Sequence, residues 1–302
     1  MNGRVSSPFL MTVLTVLALH APAWAATPIV VGPAQSLTPH KALYDVQLVS
    51  TKNGSQMANI SGKMFYEWKP SCEGWITNHR FSLNYDYADS PSINISSDFT
   101  TFETFDGKSL NFSSRRKRNG EVYEELRGRA DLTAKGAAKG IDGTAIYSIP
   151  ENLKFDLTRN TLFPTGHTIN LLDQARQGKK FYNVRIFDGS DDEGPVDINS
   201  FIGTKVEGKK SGEASKISPE KSNSFKPAST NSIDNSLTDV PGWNVRMAFF
   251  PTNTPESASD YELSMVFHEN GIISDMMIEY ADFTVRQKLV ALEKVAPETC
   301  KN

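Results

Sequence analysis

The two thiols of the chain, on Cys72 and Cys300, are its most reactive candidate groups. They lie too far apart in the sequence to form the Cys-x-x-Cys pair of a redox enzyme. In a protein that is exported from the cytosol, two cysteines usually pair with each other. The sequence therefore predicts one intramolecular disulfide, which would close almost the whole mature domain and act as a structural bond. Two free thiols, or thiols that bridge two chains, are the alternative.

The histidines and carboxylates do not form a recognisable metal site in the sequence. After the N-terminal segment the histidines are His40, His79, His167 and His268, and none lies at metal-ligand spacing from another. The acidic run 188–194 lacks the alternating ligands and distal glutamate of an EF-hand loop, so we interpret it as a solvated hairpin turn in preference to a weak cation site. We expect no metal and no cofactor.

Motifs of the common enzyme classes are also missing from the sequence. There is no nucleophile elbow, no P-loop and no dinucleotide fingerprint. A pair of convergent carboxylates, such as a glycosidase uses, has no sequence signature and is left open. The basic run 115–118 precedes an Asn-Gly turn and is interpreted as a solvated strand end, with contact to phosphate or anionic lipid as the alternative. The net charge of −3 does not imply binding of nucleic acid. We therefore expect a protein that is not an enzyme.

The N-terminus reads as an export signal. Arg4 is followed by a short apolar run at 9–19, and the small residues Ala23 and Ala25 fit a signal-peptidase site before Ala26. The run is shorter than the roughly 20 residues that span a bilayer, and no later stretch is long and apolar enough. The sequence predicts a signal peptide over 1–25 and a single mature domain over 26–302 that is not membrane-spanning. A buried N-terminal helix or strand is the alternative.

Alternation of apolar and polar residues with a period of two dominates the mature chain. It is clearest over 75–87, where Trp75, Phe81 and Leu83 share one face. Long antiparallel strands twist and coil, so a sheet made of them tends to roll up. Dipeptides that favour tight hairpins separate many of the alternating segments. These dipeptides are Asn53-Gly54, Asp106-Gly107, Asn119-Gly120, Asp142-Gly143, Asp188-Gly189 and Asn270-Gly271. The sequence thus predicts an all-β, antiparallel meander.

Two segments depart from the strand pattern. Apolar spacing and the stop signal of Gly178 predict a helix from about Thr168 to Gln177. Residues 207–236 are rich in Lys, Ser, Glu and Asn, and they cannot bury enough apolar surface to offset the entropy lost on ordering. We therefore predict a disordered insertion between two strands and no domain boundary there.

An apolar interior follows from the strand alternation. If the sheet rolls up, one face of each long strand must point inward. The predicted inward set is Trp75, Phe81, Leu83, Met247, Phe249, Leu263, Met265 and Phe267. Aromatic and methionine side chains are wide or flexible, so such a lining can form a closed core or make room for an apolar guest. The two possibilities predict different functions.

A series of short motifs runs along the whole mature chain. Residues 40–45 read His-Lys-Ala-Leu-Tyr-Asp. The later motifs are Gly62-Lys63-Met64-Phe65-Tyr66-Glu67, Cys72-Glu73-Gly74-Trp75, Asn78, Arg80-Phe81, Leu162-Phe163-Pro164-Thr165, Phe187-Asp188-Gly189-Ser190-Asp191, Glu269-Asn270-Gly271, Tyr280-Ala281-Asp282-Phe283 and Cys300. In this order they resemble the EipB-like periplasmic proteins of α-proteobacteria. The long insertion departs from the family, as does Lys41, where the family usually has arginine.

The resemblance implies an antiparallel β-spiral, or broken β-barrel, with one or two helices and an architecture similar to lipoprotein carriers. It also implies a disulfide between Cys72 and Cys300, a location in the periplasm and a role in cell-envelope integrity. A periplasmic tetratricopeptide-repeat protein and lipid are the implied partners. We therefore expect a non-enzymatic envelope protein that acts through protein contacts or an apolar ligand. A carrier of lipid or lipoprotein acyl chains is one alternative, and an unrecognised envelope hydrolase is another.

Overall fold

Fourteen antiparallel strands and one α-helix make up nearly all of the regular structure in the computed structural model, which describes residues 37–132, 140–208, 232–253, 258–296 and 300. The elements are β1 (His40–Thr51), β2 (Met57–Pro70), β3 (Gly74–Tyr87), β4 (Ile93–Thr104), β5 (Ser109–Arg118), β6 (Glu121–Asp131), β7 (Ile141–Ile149), β8 (Lys154–Thr158), α1 (Pro164–Arg176), β9 (Phe181–Ile186), β10 (Val196–Val206), β11 (Gly242–Pro251), β12 (Tyr261–His268), β13 (Ile273–Tyr280) and β14 (Phe283–Lys294). A 3₁₀ turn lies at Asn235–Leu237.

The strands form a single sheet in the order β8-β7-β6-β5-β4-β3-β2-β1-β14-β13-β12-β11-β10-β9. Strands that are consecutive in sequence pair with each other, except β8 and β9. At the centre β1 pairs with β14 and joins the two halves of the chain. The two edge strands, β8 and β9, are consecutive in sequence and are connected through α1. The predicted all-β, broken-barrel fold is confirmed.

One residue bridges the gap between the two edges. Leu162, just after β8, donates its backbone N–H to the carbonyl of Arg185 at 2.9 Å and accepts the N–H of Phe187 at 3.0 Å. This is an isolated parallel bridge to β9 and not a ladder. The sheet is therefore curled until its ends approach, but in the described part of the chain it is not closed by strand pairing.

The turn dipeptides lie in short turns as predicted, with two exceptions. One is Asp188-Gly189, which lies in the longer connection 187–195 between β9 and β10. At Asn119-Gly120 both residues have positive φ, 52° and 88°, as a tight hairpin between β5 and β6 requires. Asp142-Gly143 is not a turn, so that prediction is wrong: both residues lie inside β7. A Cβ on Gly143 would lie 2.6 Å from the carbonyl oxygen of Asp131, so this glycine permits close approach of β6.

The helix begins earlier than the sequence indicates. It starts at Pro164 and not at about Thr168, because proline fits the first helical position and Phe163 provides extended backbone just before it. Its predicted end is confirmed, since the helix stops at Arg176 and Gly178 follows with a φ of 74°. Because the helix starts at Pro164, the backbone N–H groups of Thr165 and Gly166 lie in its first turn and donate to the carboxylate of Glu103.

The predicted disulfide is present. Cys72 is bonded to Cys300 with a Cα–Cα distance of 5.6 Å and a sequence separation of 228 residues. Cys72 lies in the connection between β2 and β3, and Cys300 follows β14. The bond therefore ties the C-terminal end of the described chain to an early hairpin of the sheet.

The predicted signal peptide and residues 209–231 of the predicted insertion lie outside the described residues. The C-terminal end of that insertion contacts the sheet. Ile233 forms an isolated bridge with Leu292 of β14, and the carboxylate of Asp234 accepts the backbone N–H of Ser236. These residues lead into the 3₁₀ turn, whose Leu237 is buried.

Candidate functional site

The eight side chains predicted to face inward occupy two neighbouring apolar clusters. One cluster holds those that are buried, with exposed fractions of 4–8%: Trp75, Met247, Phe249, Met265 and Phe267. Phe81 and Leu83 are half-buried and pack against the second cluster, which is built from β1, β2, β13 and β14. Leu263 is also half-buried and packs against both. Leu263 reaches the first cluster because the pairing of β11 with β12 places it opposite Met247.

The helix α1 occupies the interior of the first cluster. Its buried residues Leu171, Leu172 and Ala175 pack with the inward side chains of β10 to β12. On the other side, Trp68 and Trp75 stack with ring centroids 4.2 Å apart. The apolar side chains of this region are therefore in contact with each other and with the helix, which is the arrangement of a packed core.

A truncation in this cluster tests whether the interior is packed. We expect Met265→Ala to lower the free energy of unfolding by about 2–5 kcal/mol, because Met265 is only 5% exposed and its removal leaves a cavity. Chemical denaturation measures this loss. Met277→Ala on the neighbouring strand is the matched control, since Met277 is 40% exposed and its truncation should change stability little. A small effect of Met265→Ala together with uptake of a fluorescent fatty acid by the wild type would contradict a closed core.

A buried carboxylate caps the N-terminus of α1. Glu103 of β4 is 3% exposed, and its two carboxylate oxygens accept the backbone N–H groups of Thr165 and Gly166 at 2.7 and 3.0 Å. These are two of the helix N–H groups that have no partner within the helix. The positive end of the helix dipole adds a favourable interaction with the carboxylate. Glu103 thus attaches the helix to the sheet.

Burial raises the pKa of Glu103 to about 7, although its hydrogen bonds to Thr165 and Gly166 act in the opposite direction. The neighbouring His167 is also buried, which lowers its pKa to about 4 and keeps the imidazole neutral. Its Nε2 has no hydrogen-bond partner in the described structure, and its ring stacks on Tyr182 of β9 at 6.1 Å. Both side chains hold the helix to the sheet, and Glu103 can take up a proton near neutral pH.

The acidic loop between β9 and β10 is less exposed than the sequence suggests. The solvated turn predicted for 188–194 is only partly correct, because the carbonyls of Ser190 and Asp191 accept hydrogen bonds from Arg116 and from the hydroxyl of Tyr147. Burial and the nearby Asp188 raise the pKa of Asp191 to about 6.

The same contact revises the interpretation of the basic run 115–118. One residue of the run, Arg116, is half-buried and reaches both Glu124 and the acidic loop. A Cβ on Gly189, whose φ is 72°, would come within 2.6 Å of three ring atoms of Phe112. The acidic loop therefore lies directly against the inner face of β5, and only its tip is solvated.

Within the described residues, no group of three or more His, Cys, Asp or Glu side chains could hold a metal ion. No helix in this part of the chain is long and apolar enough to cross a membrane. A groove of about 680 Å³ lies on the outer face of β4 to β7, and it is also lined by the buried Phe112 and Tyr147 of a third apolar cluster.

Sequence reasoning did not identify Glu103, although a signal for it exists. Glu103 shares its strand face with Ser97, Phe99 and Thr101, which all point inward. A carboxylate on an inward face needs a partner, so this position could have been selected from the alternation. The partner itself could not, because Thr165 lies 62 residues further along the chain.

Comparison with known proteins supports the resemblance across the same region. A profile of the family described as EipB-like matches residues 32–296. The cell envelope integrity protein EipB of Brucella abortus (strain 2308) is 30% identical over 264 residues, which is 86% of this chain and 85% of that protein. A crystal structure of a β-barrel-like protein with the domain of unknown function DUF1849, also from Brucella abortus, superposes with a TM-score of 0.71 at 28% identity. That match covers 86% of this chain and 99% of the other.

Proposed function

Since this chain belongs to the EipB-like family, we propose that it is a periplasmic protein that supports the integrity of the cell envelope. The relative from Brucella abortus is named for that role and is similar over most of both chains. In this proposal the protein acts without catalysis, through contacts of its folded surface with other proteins.

The observation that carries the protein-contact mechanism is the packed interior. Leu171 and Leu172 of α1 are each 1% exposed and fill the space between the inward faces of the strands. A binding protein for apolar guests usually keeps a preformed cavity lined by such side chains. The groove of about 680 Å³ among the described residues lies on the outer face of the sheet, where a partner can reach it without displacing the helix.

A carrier of lipid or lipoprotein acyl chains is the second candidate, and the methionines of the first cluster favour it. Met247, Met265 and Met276 pack in the same apolar region. Methionine is flexible, so such a region can rearrange around a guest if α1 moves. Uptake of a fluorescent fatty acid by the wild type, lost in Met265→Ala, would support the carrier over the protein-contact mechanism.

Deletion of the gene from its own host tests the envelope role. We expect the deletion strain to become sensitive to detergents and to cell-wall antibiotics, and we expect the wild-type chain, expressed from a plasmid, to restore resistance. The chain should be recovered from the periplasmic fraction. Unchanged resistance of the deletion strain, or recovery of the chain from the cytosol, would contradict the proposal.

Native mass spectrometry of protein purified from that periplasm distinguishes the two mechanisms. A co-purifying protein supports the protein-contact mechanism, whereas a co-purifying lipid supports the carrier. The wild type and the Met265→Ala variant should carry the same protein partner if the interior has only a structural role.

A further inference from the structure

The outer groove is built from side chains that line up across four strands. Strand pairing places Phe102 of β4, Asn111 of β5, Arg129 of β6 and Ile146 of β7 in one row across the sheet. Asn111 lies between Phe102 and Arg129 in this row, and all four side chains line the groove. Ile146 is 56% exposed, so the wall on the β7 side offers apolar surface to solvent.

A second row runs beside the first and has the same character. Thr100, Ser113 and Arg127 are paired in succession across β4, β5 and β6. All three residues line the groove, and the row again contains an arginine. Arg127 and Arg129 are two residues apart on one strand, so they lie on the same face at a repeat of about 7 Å.

An irregularity in the sheet explains why the outer face is hollow here. Arg127 pairs with Ile149 and Gly128 pairs with Tyr147, so Ser148 has no opposite residue in β6. An extra residue of this kind bends its strand and increases the local twist. The bend turns part of an ordinary outer face into a groove at the position of the two arginines.

The charged side chains that line the groove are both positive. Arg127 and Arg129 are the charged residues among those that line it. Their side chains are 57% and 63% exposed, and their closest carboxylates, on Glu125 and Asp131, are 3.8 and 3.6 Å away. These distances are longer than a hydrogen bond, so each guanidinium keeps N–H donors for a further carboxylate.

We propose that this groove binds an extended acidic segment of a partner protein, with carboxylates at alternate positions paired to Arg127 and Arg129. An extended chain repeats its side chains every two residues at the same spacing as the two arginines. The intervening side chains of such a segment point to its other side, toward β4, where apolar ones pack on Phe102. The amide of Asn111 and the hydroxyl of Ser113 are within the groove to bind the backbone of the segment.

The spacing of the two arginines favours a peptide over a lipid. Carboxylates on alternate residues of an extended chain repeat at the spacing of the two guanidinium groups, whereas the acyl chain of a lipid carries no anionic group along its length. This inference rests on the proposed function, because it names the kind of partner that the protein contacts and the surface that contacts it.

Fluorescence anisotropy with a labelled peptide tests the inference. The probe is a synthetic peptide with the core Phe-Glu-Val-Glu-Phe, and the matched peptide has glutamine in place of both glutamates. We expect saturable binding of the acidic peptide by the wild type, with an affinity roughly tenfold or more above that of the glutamine peptide at low salt. Charge reversal by Arg127→Glu with Arg129→Glu should weaken binding of the acidic peptide by at least about tenfold.

A control variant with the same change in charge is available on another strand. Arg286 and Lys288 are exposed and two residues apart on β14, so Arg286→Glu with Lys288→Glu should leave peptide binding within about twofold of wild type. If the groove variant melts early, Asn111→Trp fills part of the groove without a change in charge and should also abolish binding. Equal loss of binding in the groove and control variants, or no preference for the acidic peptide, would overturn the inference.

Two further results separate this inference from its alternatives. One result is that the wild type binds vesicles made of equal parts phosphatidylglycerol and phosphatidylcholine but does not bind the peptide, and that only the groove variant loses vesicle binding. This result would show that the groove contacts a membrane surface and would overturn the inference of a peptide partner. Restored resistance of the deletion strain by the Arg127→Glu, Arg129→Glu chain would also overturn the inference and leave the envelope role intact. Failure of the wild-type chain to restore resistance would count against the proposed function instead.

Discussion

Replacement of Cys72 by serine is expected to lower the free energy of unfolding by about 2–5 kcal/mol. The disulfide closes a loop of 228 residues, and the entropy of an unfolded chain rises when so long a loop is opened. The chain-entropy relation gives an upper value of roughly 5 kcal/mol for a loop of this length, and strain in the folded state reduces it. Urea denaturation with a fluorescence readout of the buried Trp68 and Trp75 measures the difference.

The disulfide prediction has internal controls. The single variants Cys72→Ser and Cys300→Ser and the double variant should be equally destabilised, because each removes the same bond. A reducing agent should destabilise the wild type by a similar amount and leave the double variant unchanged. Alkylation of both thiols in native, unreduced protein from the host would contradict the pairing.

Removal of the carboxylate of Glu103 should also destabilise the folded protein. We expect Glu103→Ala to lower the free energy of unfolding by roughly 2–4 kcal/mol, because it leaves the N–H groups of Thr165 and Gly166 without an acceptor in a buried place. Glu103→Gln keeps an oxygen that can accept one of these bonds, so its cost at neutral pH should be smaller. The exposed Asp98 of the same strand provides the control variant Asp98→Asn, which should change stability little.

The pH dependence of stability distinguishes the role of this carboxyl from simple packing. Its pKa is raised from 4.5 to about 7 in the folded protein, mainly by burial. Between these values the folded state binds the proton more tightly than the unfolded state, so stability falls as pH rises. The contribution is fully present below pH 4.5 and is lost as pH passes about 7, with a total of about 3 kcal/mol at most.

We therefore expect the wild type to lose stability relative to the Glu103→Gln variant as the pH rises from 5 to 8. Unfolding curves at a series of pH values, recorded for both proteins in the same buffers, measure this change. Parallel pH profiles for wild type and Glu103→Gln would show that the carboxyl does not change its proton affinity on folding.

Much of the fold could be predicted because its signals are local. The alternation over 75–87 reappears as β3, and the Asn119-Gly120 hairpin has the backbone conformation that its residues favour. Asp142-Gly143 has the same composition but lies in a strand, since there the glycine is needed for close approach to Asp131. A dipeptide cannot distinguish these two uses of glycine, because the difference lies in what a neighbouring strand places beside it.

The candidate sites were harder to predict because their signals are not local. Glu103 has an unusual position that the alternation could reveal, but its partners on α1 depend on how the sheet curls. The groove depends on a row of residues from four strands and on the missing partner of Ser148, and neither can be read from a single strand. Arg127 and Arg129 in isolation look like ordinary exposed residues.

The pairing of β1 with β14 has a consequence for how the chain is made. β1 and β14, the first and last strands of the described chain, lie side by side in the middle of the sheet, so the two halves cannot join until β14 has emerged from the ribosome or an export channel. Until then β1 presents an unpaired edge, which is a template for association with other chains. Contacts between such distant residues also form slowly. The nascent chain therefore has a long interval in which a chaperone is useful, and a premature stop codon before β14 would leave the edge exposed permanently.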